Sequence, residues 1–171
     1  MRRVGWFASL LLSLTSLLLI ACENKPLVGP PQLRLGRDQC HECGMIISED
    51  RCAAALLIER DGRREHLLFD DLGCMLDVER GGLDAARVIE RFARDHDTRA
   101  WIDAATATFL SAPADKLITP MASGMVGYAA RSAAGASQAQ YGGSILNYEA
   151  LADARRAWMQ ARRSTSSRPG E

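Results

Sequence analysis

Residues 53–82 read Ala53-Ala54-Ala55-Leu56-Leu57-Ile58-Glu59-Arg60-Asp61-Gly62-Arg63-Arg64-Glu65-His66-Leu67-Leu68-Phe69-Asp70-Asp71-Leu72-Gly73-Cys74-Met75-Leu76-Asp77-Val78-Glu79-Arg80-Gly81-Gly82. An unbroken apolar run over 53–59 suits a strand buried on both faces. Asp61-Gly62 follows, and that dipeptide accepts the positive φ angles of a tight hairpin turn. Residues 65–69 then return as the partner strand. Asp70 or Asp71 supplies a side-chain acceptor for the first free amides of a helix over 72–80, which stops at Gly81-Gly82. A hairpin followed at once by a helix predicts an α+β fold with an antiparallel sheet.

Downstream, the unit repeats loosely. Residues 85–93 have spacing open to helix or strand, and the strand is favoured because Asp97-Thr98-Arg99 can turn it back onto 100–102. Residues 107–110 form a short strand ended by Pro113, and residues 119–130 give a turn around Pro120 and a strand from about Met125. The small, polar stretch 131–143 reads as part helix and part loop. A final helix over 147–162 has Asn147 as its cap and Leu151, Ala154, Ala157 and Trp158 on one side. The expectation is two α+β halves, 38–103 and 104–163, with a disordered tail over 164–171 rich in Arg, Ser, Pro and Gly.

Upstream, residues 1–21 are an address. Arg2 and Arg3 precede an apolar run too short to span a bilayer comfortably, which ends at Leu19-Ile20-Ala21-Cys22. A small residue directly before Cys suits lipoprotein signal peptidase, so Cys22 is the expected lipidated N-terminus. Export by the general secretory route to the periplasmic face follows, and Glu23 is compatible with passage to the outer membrane. Residues 22–37, with Pro26, Pro30 and Pro31, read as a flexible tether. The leader removes two basic residues and no acids from a chain with 21 of each, leaving a mature net charge of about −2. That balance gives no basic field for nucleic acid.

Four cysteines then remain: Cys40, Cys43, Cys52 and Cys74. Cys40, Cys43 and Met45 place three sulfurs within six residues, with His41 among them. Thiolate and thioether are soft donors that select copper(I), an ion satisfied by two or three ligands. Gly44 lets the backbone turn so that Met45 can face the thiols. His41 is either a solvated loop residue or a third ligand. Met121, after Pro120 in a loop, is a further thioether able to close such a site, whereas Met125 suits the core. Gly44 after the second cysteine excludes a c-type haem. A closed zinc site lacks an evident second ligand pair, and a Cys40–Cys43 disulfide would close a small strained loop. A thiol–disulfide oxidoreductase using Cys40 and Cys43 is the main rival, although such a pair ordinarily follows a buried strand and opens a helix. Cys52 and Cys74 read as core residues or one disulfide, His66 as a strand residue, and Glu65 with Asp70 as a solvated face. No nucleophile triad, phosphate loop or carboxylate dyad stands out, which argues against hydrolase or nucleotide chemistry, and the leading expectation is a non-enzymatic metallochaperone.

The lipobox Cys22, the tether, Cys40-His41-Glu42-Cys43-Gly44-Met45, Phe69-Asp70-Asp71-Leu72-Gly73-Cys74, Ala100-Trp101-Ile102-Asp103-Ala104 and Thr119-Pro120-Met121 follow one another in an order that resembles the NosL family over roughly residues 38–130. The resemblance implies two small ββα-type halves similar to organomercurial lyase. It implies a copper(I) chaperone serving apo nitrous oxide reductase through an ABC-type maturation complex in denitrification. Its ligands would be Cys43 and Met45 first, then Met121, with Cys40 and His41 after them. A monomer is expected, with a metal-linked dimer as the alternative assembly.

Overall fold

A computed structural model describes residues 26–166; the leader and Cys22 lie outside the described residues, as do the last five. The first sheet has the order β2-β1-β3-β4, built from β1 (Ala54–Arg60), β2 (Arg63–Phe69), β3 (Arg87–Arg94) and β4 (Trp101–Asp103). The second has the order β6-β5-β7, from β5 (Thr108–Ser111), β6 (Met125–Tyr128) and β7 (Ser144–Leu146). All named strand pairs are antiparallel. Among the described residues three helices complete the α+β fold: α1 (Leu72–Gly81), α2 (Arg131–Tyr141) and α3 (Tyr148–Ser166). Among the described residues no helix is long and apolar enough to cross a membrane.

The opening segment behaves as its sequence demands. Ala54 to Ile58 of β1 have no exposed surface, because this strand is central and covered on both faces. Asp61 and Gly62 both take positive φ, 51° and 73°, and the hairpin register runs from Arg60 opposite Arg63 to Ala54 opposite Phe69. Asp71, not Asp70, caps α1: its side chain accepts from the Gly73 N–H. The ambiguous stretch 85–93 resolves as a strand, with Phe92 opposite Asp103 and Arg94 opposite Trp101. Propensity could not decide this, but a free edge of β1 could.

Each half has the same chain path. A central strand pairs with the next strand, the chain crosses as a helix, and the following strand pairs on the central strand's other edge. The second of these edge strands, β7, falls in residues 144–146, between the stretch 131–143 and the helix from 147, where the sequence reading assigns no element. At three residues it is too short to show alternation, and only Ile145 and Leu146 carry strand character.

Two further readings change. Helix α3 runs to Ser166, past the expected end at 162 and into the stretch read as tail. Its buried positions include Leu151 and Arg155, while Ala157 and Trp158 are exposed. Arg155 reaches back to Asp77 of α1 at 2.7 Å, and Trp158 lies under the guanidinium groups of Arg155 and Arg162. Residues 27–37, read as tether, lie along the first sheet. The Gly29 carbonyl meets His66 Nε2 at 2.8 Å, Pro31 is buried, and the Gly36 N–H donates to the Ile47 carbonyl. Prolines suppress helix and sheet interior, and they do not prevent docking.

Two buried aspartates join the halves. Asp95, at the end of β3, accepts from the Ala129 N–H at 2.7 Å, and a bridge pairs it with Gly127 of β6. Asp71 Oδ2 accepts from the Thr119 hydroxyl at 2.6 Å and from the Met121 N–H at 3.0 Å. Gly73 lets this seam close: a Cβ there would come within 2.8 Å of Ser123 Cβ and 3.1 Å of Arg155 Cζ.

Candidate metal centre

The site forms where three short pieces of backbone meet. The first is the loop from Cys40 to Met45. Its ends are tied by the Cys40 N–H to the Met45 carbonyl at 2.8 Å, and Gly44, with φ of 73°, donates to the Cys40 carbonyl at 2.9 Å. A left-handed residue is needed for so tight a return, and glycine takes it without a Cβ clash. The His41 N–H donates to the Leu68 carbonyl at 2.7 Å, which fastens this loop to the end of β2. The second piece is Asp70, at the junction of β2 and α1. The third is Cys74, in the first turn of α1.

The Sγ atoms of Cys40, Cys43 and Cys74 and a carboxylate oxygen of Asp70 all lie within 4.8 Å of one another. Cys40, Asp70 and Cys74 are buried, and Cys43 alone is partly open to solvent. Cys43 Sγ stands 3.9 Å from Asp70 Oδ2 and 4.0 Å from Oδ1. No disulfide joins these residues; Cys40, Cys43, Cys52 and Cys74 are all free thiols.

The electrostatics divide the three thiols. A hydrogen bond from Cys74, outweighing burial, pulls Cys40 well below the ordinary thiol range, with backbone N–H groups of Cys43 and Asp70 adding to it. Cys74, as the donor in that bond and itself buried, is pushed upward. Burial raises Cys43, with the neighbouring Cys40 thiolate adding to it. Asp70 is raised to about 6, first by burial and then by Cys40. The hydrogen bond between them thus favours the thiolate on Cys40 and the thiol on Cys74. A soft cation binding here would meet the sulfur most inclined to lose its proton and would displace protons from the neighbouring thiols.

The sequence-stated residues divide accordingly. Cys40 and Cys43 are brought together as their spacing suggests. Met45 and Met121 stand at the surface, 47% and 36% exposed. Met45 closes the cysteine loop, and the Met121 backbone is held by the same Asp71 that caps the Cys74 helix. The His41 ring is outside the convergent group. It packs edge-on to Phe69 at 6.1 Å between centroids and lines a separate cavity of about 380 Å³ with Arg60, Asp77, Arg80 and Met159.

Sequence reasoning missed Asp70 and Cys74. Asp70 was read as part of a solvated face, and the structure buries it to 3% exposure. Cys74, read as a core residue or half of a disulfide, is buried in the first core as a free thiol and belongs to the cluster as well. The available signal was the hairpin-to-helix junction itself: Cys74, in the first turn of a helix that starts at the Asp70-Asp71 pair, is held close to the end of β2 and so to Asp70. Cys52 does keep its core role. It is 2% exposed, packs with Leu110, Val126 and Tyr128, and is pushed up to about 12 by burial.

The family model for NosL matches residues 34–155. The crystal structure of the copper chaperone NosL from Shewanella denitrificans superimposes with a TM-score of 0.51 at 21% identity, covering 71% of this chain and 96% of that one. At that identity the likeness is one of fold. No curated protein matches the chain. A family match across most of the length, over both sheets and every piece of the thiol cluster, means that this chain belongs to the NosL family.

Proposed function

We propose that this protein is a copper(I) chaperone, held by a lipid on Cys22 at the periplasmic face of the outer membrane. It delivers copper for the maturation of nitrous oxide reductase, by way of an ABC-type maturation complex. The observation that carries the copper reading is the convergence of three thiols, two buried and one partly open, on a point with no bound disulfide. Soft sulfur donors hold copper(I) in preference to the harder divalent ions. Membership of the NosL family and the fold shared with a copper chaperone support the same reading.

Cys40, Cys43 and Cys74 hold the ion, Cys40 meeting it as a thiolate. Cys43 is the ligand a docked recipient can reach. The Met45 and Met121 thioethers, exposed beside the cluster's backbone pieces, serve as the neutral donors through which copper enters or leaves. A monomer suffices for the site, because every donor comes from one chain.

The rival thiol–disulfide oxidoreductase has a specific difficulty. Its attacking sulfur must be an exposed thiolate. Here the lowered thiol, Cys40, is 2% exposed, while the more accessible Cys43 is raised. Titrating the reduced full-length chain in detergent with copper(I), against a chromophoric chelator under anaerobic conditions, tests the proposal. One copper(I) per chain is expected, weakened by Cys43→Ala, Cys74→Ala and Met45→Ala. Loss of all competitive binding to the chelator refutes it. Binding indifferent to Met45→Ala removes the thioether from the path.

A further inference from the structure

The same junction holds two consecutive buried aspartates with opposite circumstances. Asp71 is saturated: it accepts from the Gly73 N–H, the Thr119 hydroxyl and the Met121 N–H. Asp70 is 3% exposed, and among the described residues its carboxylate meets thiols: Cys43 at 3.9 and 4.0 Å, with Cys40 and Cys74 beside it. Among the described residues no ion pair meets this carboxylate, and the side chains that converge with it are thiols. A buried carboxylate with neither a cation nor an amide to satisfy it is a costly thing to keep. Copper(I) does not explain it, because a hard oxygen adds little to a soft monovalent ion that already has three sulfurs.

We propose that Cys40, Cys43, Cys74 and Asp70 also form a closed four-coordinate site for a divalent thiophilic cation of the zinc class, with Asp70 as the ligand that copper(I) leaves unused. The proposal concerns the cluster assigned above to copper, and its test is independent of that assignment. Three observations lead to it. The donor set is mixed, three sulfurs and one oxygen, and zinc accepts both. The spacing is close to that of a tetrahedral ion: metal–sulfur bonds of about 2.3 Å set sulfurs about 3.8 Å apart, against atoms that already lie within 4.8 Å. The charge also fits. Three thiolates and a carboxylate sum to four negative charges, which a divalent ion compensates twice as well as a monovalent one.

The two ions would then occupy one cluster in different ways. A divalent ion draws in Asp70 and fills all four positions. Copper(I) rests on the sulfurs and leaves a side open for ligand exchange with a recipient. Asp70 thus separates a closed, retaining state from an open, transferring one.

Cobalt(II) is the spectroscopic probe. The reduced full-length chain in detergent is titrated anaerobically with cobalt(II), then with zinc(II) as competitor. The expected result is one cobalt per chain, with the intense visible bands of a tetrahedral ion and near-ultraviolet thiolate charge transfer, both abolished by equimolar zinc. Asp70→Asn should weaken cobalt binding by at least about tenfold while leaving copper(I) affinity, read by chelator competition, nearly unchanged. A pale six-coordinate spectrum, absence of cobalt uptake, or an equal loss of both ions in Asp70→Asn overturns the proposal. The spectrum of the unaltered chain decides the matter if Asp70→Asn does not fold. Tetrahedral cobalt without copper(I) binding would refute the chaperone reading and leave this site standing; copper(I) binding without cobalt would do the reverse.

Discussion

Replacing Asp71 with alanine tests whether one carboxylate holds the two halves together at the metal cluster. Asp71 has no exposed surface and carries three hydrogen bonds. Loss of the cap on α1 costs about 1 kcal/mol. The Thr119 hydroxyl is buried, and stranding it costs about 1–3 kcal/mol. The Met121 N–H sits in a part-exposed turn where water can replace the acceptor, so its loss costs about 0.5–1 kcal/mol. The sum is about 2.5–5 kcal/mol, a large part of the roughly 5–15 kcal/mol that holds an ordinary domain folded. Asparagine keeps one oxygen, enough for the cap or for Thr119 but not both, and should cost about 2 kcal/mol. Urea unfolding of the reduced, metal-free chain, followed by circular dichroism, measures each variant. Thr119→Val should also destabilise, because the Ser123 and Gly124 amides lose the acceptor they share. Combined with Asp71→Asn, it should cost less than the sum by about 1 kcal/mol. A stability for Asp71→Ala within about 0.5 kcal/mol of the parent would refute the reasoning, and so would strict additivity in the double variant.

Two other perturbations probe the same seam. Gly124 has φ of 65°, and a Cβ there would meet the Ala112 carbonyl oxygen at 2.1 Å, so Gly124→Ala should lower the urea midpoint by an amount equivalent to about 3 kcal/mol or prevent folding altogether. Asp95 is buried, which raises its carboxyl, but hydrogen bonds from Thr98, Ala129 and Asp97 outweigh this and hold it below its ordinary 3.8. The unfolded chain therefore takes up the proton first. Stability from Asp95 is complete above pH 3.8 and is lost as pH falls through the lower folded value, so Asp95→Asn should flatten the acid limb of a melting-temperature profile.

The parts of the fold legible in the sequence are those in which local and tertiary preferences agree. The apolar run of β1, the Asp61-Gly62 turn and the start of α1 at the Asp pair state their structure within a few residues of themselves. What was not legible depended on distant partners. Strand β3 was favoured over a helix only through the turn at 97–99 and the open edge of β1 settles it, while β7, to which no element was assigned, follows from the open edge of β5. On α3 the largest aromatic was placed inward on hydrophobicity, yet Trp158 stays outside, covered by two arginines, while Arg155 goes in to meet Asp77. An apolar period cannot anticipate a buried ion pair, because its cost is offset only by a partner 78 residues away. The candidate site shows the same division. Cys40 and Cys43 are neighbours in sequence and announce themselves. Asp70 and Cys74 join them only because the Cys40–Met45 loop is laced to the end of β2 through the His41 N–H.

The position of the cluster has a consequence for how metal and fold act on one another. All four donors come from the first half, yet the helix that carries Cys74 is capped by an aspartate whose other oxygen grips the second half. Met121 sits on the loop so gripped, its backbone N–H held by the same carboxylate. Ligand exchange at the cluster and closure of the seam therefore share Asp71. The start of α1 is joined to the Thr119–Gly124 turn through hydrogen bonds of 2.6 and 3.0 Å from Thr119 and Met121 to that cap. Displacing that turn would take two of the three hydrogen bonds from Asp71 and leave the cap on α1, through the Gly73 N–H, as the remaining one, so the orientation of the carboxylate that starts the Cys74 helix depends on the seam being closed.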